Sequence, residues 1–433
     1  MRAKTSAGGG GLLHHRDFRH LWSADIVSQL GTRISYLAVP LLAVSTLRAS
    51  SFEVSLLRTF QTAAYLLIGL QVGAWCDRMR CRPVLITADL VRALALGSVP
   101  AAAALHVLTI GQLYAVVFTV GVLTVFFDVA HQTYLPRLIG REHLVEGNAR
   151  IQGNASVAAV AAPTLAGYLV QWFTAPVAVL ADAVSYLWSA AWLRSIDARE
   201  DTPHRGERQK LRQEIAEGLR LVAAHPVLRA IAGNGASQSL AQSAHTAIIV
   251  VFLVREVRLS AGAIGLLNSV GLAGAIGAAL GTRRLAGLIG RARLMRLAVL
   301  VNGAAFLLFP LTGPGWRLAC YAVADLVTSF CLIALNIVQV GFQQTVCPER
   351  LLGRVNATMK FLIWGGMPLG SVLGGLLATA AGLRATLWIA AAGVLLAALW
   401  LLLSPLRTMR DLPPPDAYDI GSGSCGSDVG AAR

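Results

Sequence analysis

Long apolar segments separated by short polar loops make up most of the chain. Each apolar segment is about 20 residues or longer, the length that an α-helix needs to cross about 30 Å of hydrocarbon. The pattern predicts an all-α membrane protein with twelve transmembrane helices in two six-helix bundles. The predicted helices span about 19–47, 52–75, 83–105, 110–135, 151–172, 176–196, 227–254, 259–281, 294–313, 316–346, 357–380 and 384–404.

The longest internal polar stretch, residues 197–225, separates the first six helices from the last six. Apolar residues recur at the helical period between 211 and 222, which predicts a basic amphipathic helix lying on the cytoplasmic headgroups. The Gly-rich start and the Pro-, Gly- and Ser-rich end are typical of disorder. The predicted regions are a disordered N-terminus (1–15), an N-terminal bundle (16–196), a linker (197–225), a C-terminal bundle (226–404) and a disordered tail (405–433).

A weak internal repeat indicates that the two halves have the same orientation. Ser28-Gln29 returns as Ser237-Gln238, and the segment 136–141 returns as 348–354, at equal rank in each half. Six plus six helices in parallel orientation are the arrangement of many secondary transporters. The repeat is asymmetric in one loop, because Asp77 has no acidic counterpart in the segment 281–291.

Composition and charge agree with a location in lipid. The chain is 55% hydrophobic and 14% charged, whereas about a quarter of the residues of a soluble domain are charged. A net charge of +15 could indicate nucleic-acid binding, but most of the 37 Lys and Arg residues lie in alternate loops, on one side. This positive-inside pattern predicts a multi-pass protein of the bacterial plasma membrane, monomeric, with both termini cytoplasmic and without a nucleic-acid partner.

Motifs of enzymes and ATPases are missing from the sequence. We find no HExxH, no GxSxG and no GxxxxGK[ST] phosphate loop, and the six Cys residues do not have the spacing of a metal site. We therefore expect neither an enzyme nor a bound metal or cofactor.

Polar residues in the apolar segments predict a water-filled interior. Asp25, Gln29 and Arg33 recur every four residues and share one face of the first helix, and charge that faces lipid costs several kcal/mol. The alternative for Asp25 is that it snorkels at interfacial depth. The other predicted cavity residues are Gln61, His245, Asn268, Asn336 and Trp364, where the alternative for His245 is a packing role.

Further polar and small residues occur in helices 3 to 5. Asp89 and Arg92 are three residues apart, and form either a buried structural pair or a clamp on the loop before them. Asp128 lies near the cytoplasmic end of helix 4, which Pro136 is expected to break. In helix 5, the residues Gly153, Pro163 and Gly167 predict a hinge or a tight helix crossing.

Several motifs resemble those of the major facilitator superfamily. Gly73-x-x-x-Asp77-Arg78 with Arg82 resembles its signature between helices 2 and 3, with Cys81 in place of a basic residue. Gly153 followed by Ala162-Pro163-x-x-Ala166-Gly167 resembles the signature of antiport exporters. The chain most resembles the branch that contains enterobactin exporters and macrolide efflux proteins, in the segments 88–93, 127–131, 182–186 and 217–226.

The resemblance implies a secondary active transporter that exports a small molecule by alternating access and proton antiport. The substrate class would be a drug, an antibiotic, a siderophore or another secondary metabolite. Import or lipid flipping on the same fold is the alternative. Because such antiport needs a buried carboxylate that exchanges protons, the candidates are, in order, Asp25, Asp325 and Asp182. Arg33, an internal cation, favours an anionic or polar part of the substrate.

A cytoplasmic latch is the second implication. Asp77 would accept hydrogen bonds from the N-terminal amides of helix 11 near Asn356 when the cytoplasmic ends of the halves close. The residues assigned to this gate are Gly73, Asp77, Arg78, Arg82, Asp89, Arg92 and Asp128.

Overall fold

The structure, a computed structural model, is almost entirely helical. It describes residues 12, 15–76, 79–140, 143–197, 219–220, 222–224, 226–346 and 349–407, and no β-strand occurs among them. The predicted disordered ends and linker helix lie largely outside these residues. The helices are α1 (Arg16–Ser45), α2 (Ser51–Cys76), α3 (Cys81–Ala104), α4 (Ile110–Ile139), α5 (Leu144–Trp172), α6 (Ala175–Arg194), α7 (Pro226–Arg255), α8 (Ala261–Ile289), α9 (Arg291–Phe306), α10 (Leu318–Val346), α11 (Glu349–Ala381), α12 (Leu383–Ala397) and the one-turn α13 (Leu399–Leu402).

Eleven helical segments among the described residues are long and apolar enough to cross a membrane. One of them, Leu383–Leu402, combines α12 with α13, and α2 is the long helix that is not among the eleven. The all-α membrane fold is therefore confirmed, and the number twelve stays a prediction.

Two helices end later than predicted. Helix α4 continues through Pro136 and ends at Gly140, whose backbone has a φ of 75° and whose N–H donates to the carbonyl of Pro136 at 3.2 Å. Helix α8 likewise runs to Gly290, with a φ of 90°, so the segment predicted as a loop after residue 281 is mostly helical. A glycine in the left-handed region is a more effective helix stop than a proline in the last turn, where few backbone hydrogen bonds are lost.

Most helix packing occurs within two sets, α1–α6 and α7–α13. Helix α1 packs on α5 and α6, α3 packs on α4 and α6, and α2 packs on α4. In the second set, α7 packs on α11 and α12, α8 packs on α10, and α10 packs on α9. The main contacts between the sets are α2 with α11 and α5 with α8, which places the four helices α2, α5, α8 and α11 along the boundary between the halves.

Close contacts join the halves at the end that carries the α1–α2 loop. The N–H of Gly262 donates to the side chain of Gln171 at 3.0 Å, and the Arg255 guanidinium donates to the carbonyl of Ala49 at 2.5 Å. Gly375 of α11 lies against Ser55 of α2, so close that no side chain would fit there. The halves are therefore closed to each other at this end.

Candidate functional site

Three adjoining hollows lie between the helices, and all three are lined by Arg33 and Tyr36 of α1. Their volumes are about 220, 240 and 390 Å³. We call them the acidic hollow (220 Å³), the Pro163 hollow (240 Å³) and the Trp364 hollow (390 Å³), after lining residues that distinguish them. Because they share a wall, we describe them together as the central cavity.

The polar face of α1 lines this cavity. Asp25, Gln29 and Arg33 all border the acidic hollow, as their spacing predicts. Asp25 is only 4% exposed, and its Oδ2 accepts a hydrogen bond of 2.8 Å from the amide of Asn154 on α5. The same amide donates to the carbonyl of Trp22 at 3.0 Å. Asp25 is thus held inside the helix bundle and does not snorkel to the surface.

Arg92 forms the most enclosed charge in the cavity wall. It makes a buried ion pair with Asp89, as their spacing predicts. Its guanidinium also lies between two aromatic rings, 4.4 Å from the centroid of Phe127 and 4.2 Å from that of Tyr186. The electron-rich faces of these rings stabilise the cation in the absence of water, and Tyr186 in turn hydrogen-bonds Thr32 at 2.8 Å.

Asp128 and Arg82, both assigned to the latch, contact their own half. Asp128 lines the acidic hollow and accepts a hydrogen bond of 2.9 Å from the hydroxyl of Tyr65. Arg82 donates to the carbonyls of Leu193 at 3.0 Å and Arg194 at 2.5 Å, at the end of α6, where a cation also favours the helix dipole. Gly73 lies near the end of α2.

The centre of the predicted latch is not among the described residues. Asp77 and Arg78 lie outside them, as does the side chain of Asn356. The latch therefore stays a prediction.

Four of the residues predicted as proton sites or cavity residues line none of the three hollows. Asp182 is buried on α6 and accepts from the hydroxyl of Ser185 at 3.2 Å. Asp325 accepts from the N–H of Gly271 at 2.9 Å, within the contact of α8 and α10. His245 packs on aromatic rings, 4.5 Å from the centroid of Phe309, which agrees with the alternative of a packing role, and Asn336 is exposed on α10.

Three other predicted residues do line the cavity, and several were missed. Gln61 and Asn268 line the Pro163 hollow, and Trp364 lines the hollow that is named after it. Four cavity residues were not identified from the sequence, which are Tyr36, Arg58, Tyr65 and Thr124. The recurrence of Arg58, Gln61 and Tyr65 at helical spacing was a signal for their shared face.

The small residues of α5 differ in their surroundings. A Cβ atom added to Gly167 would lie 2.6 Å from the carbonyl oxygen of Ala261, and Pro163 approaches Gly265 of α8. By contrast, nothing lies within 4 Å of such an atom at Gly153. Gly167 and Pro163 thus sit at a tight crossing of α5 and α8, and the hinge function stays a prediction.

Two sets of helices around a polar cavity agree with the fold of the major facilitator superfamily, and comparison with known proteins shows that the chain is a member. Residues 10–418 match the model of the transmembrane secretion effector family, so the chain belongs to that family. Its homologues are transporters and not enzymes.

Two relatives cover most of the chain. The multidrug efflux pump Tap of Mycolicibacterium fortuitum is 27% identical over 384 residues, which are 84% of this chain and 89% of Tap. The enterobactin exporter EntS of Escherichia coli O1:K1 / APEC is 27% identical over 413 residues, 92% of this chain and 95% of EntS. Among solved structures, a bacterial homologue of the iron transporter ferroportin in the inward-facing state has a TM-score of 0.70 at 17% identity, covering 91% of this chain and 99% of the homologue.

Proposed function

We propose that this transporter exports a small molecule by proton antiport through the central cavity. The observation that supports this most directly is the pair of carboxylates, Asp25 and Asp128, in a hollow of the first half that adjoins two hollows lined by both halves. Relatives that are an efflux pump and a siderophore exporter favour outward transport. We therefore take the substrate to be a drug, an antibiotic, a siderophore or another secondary metabolite.

Transport proceeds by rocking of the halves 16–196 and 226–404 about the cavity. With both termini in the cytoplasm, the closed end at the α1–α2 loop is the outer one, and the cavity is loaded from the cytoplasm. In the opposite state the inner ends close, and Asp77 and Arg78 form the latch. Sliding of α5 on α8 at Gly167 permits the change, because the small residues there leave the backbones in direct contact.

Asp25 is the proton site in this mechanism. A buried carboxylate is costly while charged, and the side chains of Asn154, Gln29 and His131 compensate part of that cost here. Protonation from the outside removes the charge, so that the carboxylate can become a donor and the local hydrogen bonds rearrange. Asp182 and Asp325 rank below Asp25, because neither borders the cavity.

Transport in everted membrane vesicles tests this proposal. Respiration acidifies their interior, so an exporter with proton antiport concentrates its substrate inside them. We expect vesicles that contain the protein to accumulate at least one member of a panel of dyes, macrolides and siderophores, and a protonophore to abolish the accumulation. Accumulation that survives the protonophore would refute proton coupling, and loss of substrate from preloaded vesicles would indicate an importer.

A further inference from the structure

We infer that the central cavity binds an anionic amphiphile: its carboxylate, sulfonate or phosphate group lies between Arg33 and Arg58, and its aromatic body lies against Tyr36, Tyr65 and Trp364. This ligand class rests on the proposed function only in that the central cavity is the substrate site.

The charges in the cavity are partly segregated, although Arg33 also borders the acidic hollow. Arg33 and Arg58 both line the Pro163 hollow and the Trp364 hollow, and no acidic residue lines either of them among the described residues. Asp25 and Asp128 border only the acidic hollow. The space between the two arginines therefore has a positive potential, and the low dielectric of the membrane interior strengthens it.

Neither arginine has an acidic partner in the described part of the chain. No carboxylate lies within 4.0 Å of Arg33 or Arg58 there. Arg92, by contrast, has Asp89. Two cations that face a cavity without a counter-ion are costly unless a ligand supplies the opposite charge.

The arginines are arranged for an anion of two or more oxygens. The Arg58 guanidinium lies 5.3 Å from the centroid of the Tyr36 ring and donates to the Gln61 side chain at 3.4 Å. Arg33 is exposed to the cavity from the neighbouring helix. A guanidinium presents several N–H donors in a plane that matches carboxylate and phosphate oxygens. Because both arginines line the same two hollows, we place one anionic group between them.

Aromatic rings form the other side of the Trp364 hollow. Tyr65 of α2 and Trp364 of α11 meet edge to face, with their ring centroids 4.8 Å apart, and Met367 lies beside them. The volume of 390 Å³ is in the range of small-molecule sites, which are mostly apolar with a few polar groups that fix orientation. The ligand would thus place its anion on the two arginines of the first half and its apolar body between Tyr36 and Tyr65 of the first half and Trp364 of the second.

Two dyes with the same tricyclic core and opposite charge test the ligand class. Fluorescein is anionic at pH 8 and rhodamine 123 is cationic, and the binding of each to the purified protein in detergent can be followed by fluorescence polarisation. We expect fluorescein to bind more tightly. Arg33→Gln and Arg58→Gln should each weaken fluorescein binding about tenfold and leave rhodamine 123 unchanged or bound more tightly, while Arg33→Lys should weaken it less than Arg33→Gln.

Arg317→Gln is the matched control, because Arg317 lies in the loop before α10 and lines none of the hollows. Thermal unfolding of each variant shows whether it is folded. The inference would be overturned if rhodamine 123 bound more tightly than fluorescein, or if neither dye bound at millimolar concentration. It would also be overturned if the arginine substitutions affected both dyes equally in folded variants.

The binding measurement needs no proton gradient, so it can fail independently of the proposed function. Fluorescein binding that depends on Arg33 and Arg58 without gradient-driven transport would refute the antiporter and leave the ligand class intact. Gradient-driven export of rhodamine 123 but not of fluorescein would refute the ligand class and leave the antiporter intact.

Discussion

The two halves of the transporter contribute differently to the same cavity. The first half supplies every charged residue that lines the described hollows, which are Asp25, Arg33, Arg58, Arg92 and Asp128. The second half supplies uncharged residues, among them Asn268, Trp364 and Met367. Its own half-buried acid, Asp325, is used in the packing of α10 on α8.

The internal repeat shows the same division position by position. At the offset that relates Ser28-Gln29 to Ser237-Gln238, Asp25 corresponds to Asn234 and Arg33 to Gln242. Ser237 itself accepts a hydrogen bond from Trp400 at 3.1 Å, within the second half.

This difference suggests why the two halves can move. Three contacts of the cavity charges lie within the first half, namely Asn154 with Asp25, Tyr65 with Asp128 and Asp89 with Arg92. Relative motion of the halves therefore leaves these polar contacts intact and slides them past a largely uncharged wall. Such motion avoids the cost of breaking hydrogen bonds in a medium of low dielectric.

The largest expected effect is on transport, and it compares the acids of the two halves. Asp25→Asn should reduce protonophore-sensitive transport about 100-fold, because an amide cannot exchange the proton. Asp325→Asn is the matched control and should retain most activity, because Asp325 does not border the cavity. Accumulation of substrate in everted vesicles measures both, and equal losses would show that the charge division has no functional meaning.

Breaking the buried ion pair of the first half should have the next largest effect. Arg92→Met leaves Asp89 buried without its partner and should destabilise the protein by about 3–5 kcal/mol. The double variant Asp89→Leu with Arg92→Met removes both charges and should recover much of that loss. Thermal unfolding in detergent measures the order of stability, and a double variant less stable than the single one would contradict this account.

At the boundary of the halves, two glycines of α5 should respond with opposite signs. Gly167→Ala forces a Cβ atom against the backbone of Ala261 and should destabilise this arrangement by about 1–3 kcal/mol. Gly153→Ala meets open space and should stabilise α5 by up to about 1 kcal/mol, because alanine restricts the unfolded chain. Thermal unfolding of both variants measures the two changes in stability. Equal shifts of the unfolding temperature would argue against a tight crossing at Gly167.

The smallest effect should come from the exposed ion pair of the second half. Glu256 lies 3.4 Å from Arg384, and both side chains are partly in contact with solvent. Glu256→Gln should therefore change the stability by less than about 1 kcal/mol. Thermal unfolding measures this change, and a loss of stability as large as that of Arg92→Met would show that the ion pairs of the two halves do not differ.

Predictions that depended on a regular pattern within one helix agree best with the structure. The four-residue spacing of Asp25, Gln29 and Arg33 placed all three on one wall, and the spacing of Asp89 and Arg92 predicted their ion pair. Isolated polar residues such as His245 and Asn336 line none of the three hollows, and their predictions were weaker because one residue does not indicate which way its helix is turned.

The amino-acid sequence alone determined the membrane-spanning character, the helical fold and the family resemblance. These follow from apolar length and from local motifs, which depend on neighbours along the chain. Only the tertiary structure decided that Arg58, Tyr36 and Tyr65 belong to the cavity, that Asp128 faces Tyr65, and that Arg82 binds the end of α6. The physical reason is that the rotation and crossing of each helix are set by contacts between residues far apart in the chain, so that the surroundings of a polar side chain cannot be read from its own segment.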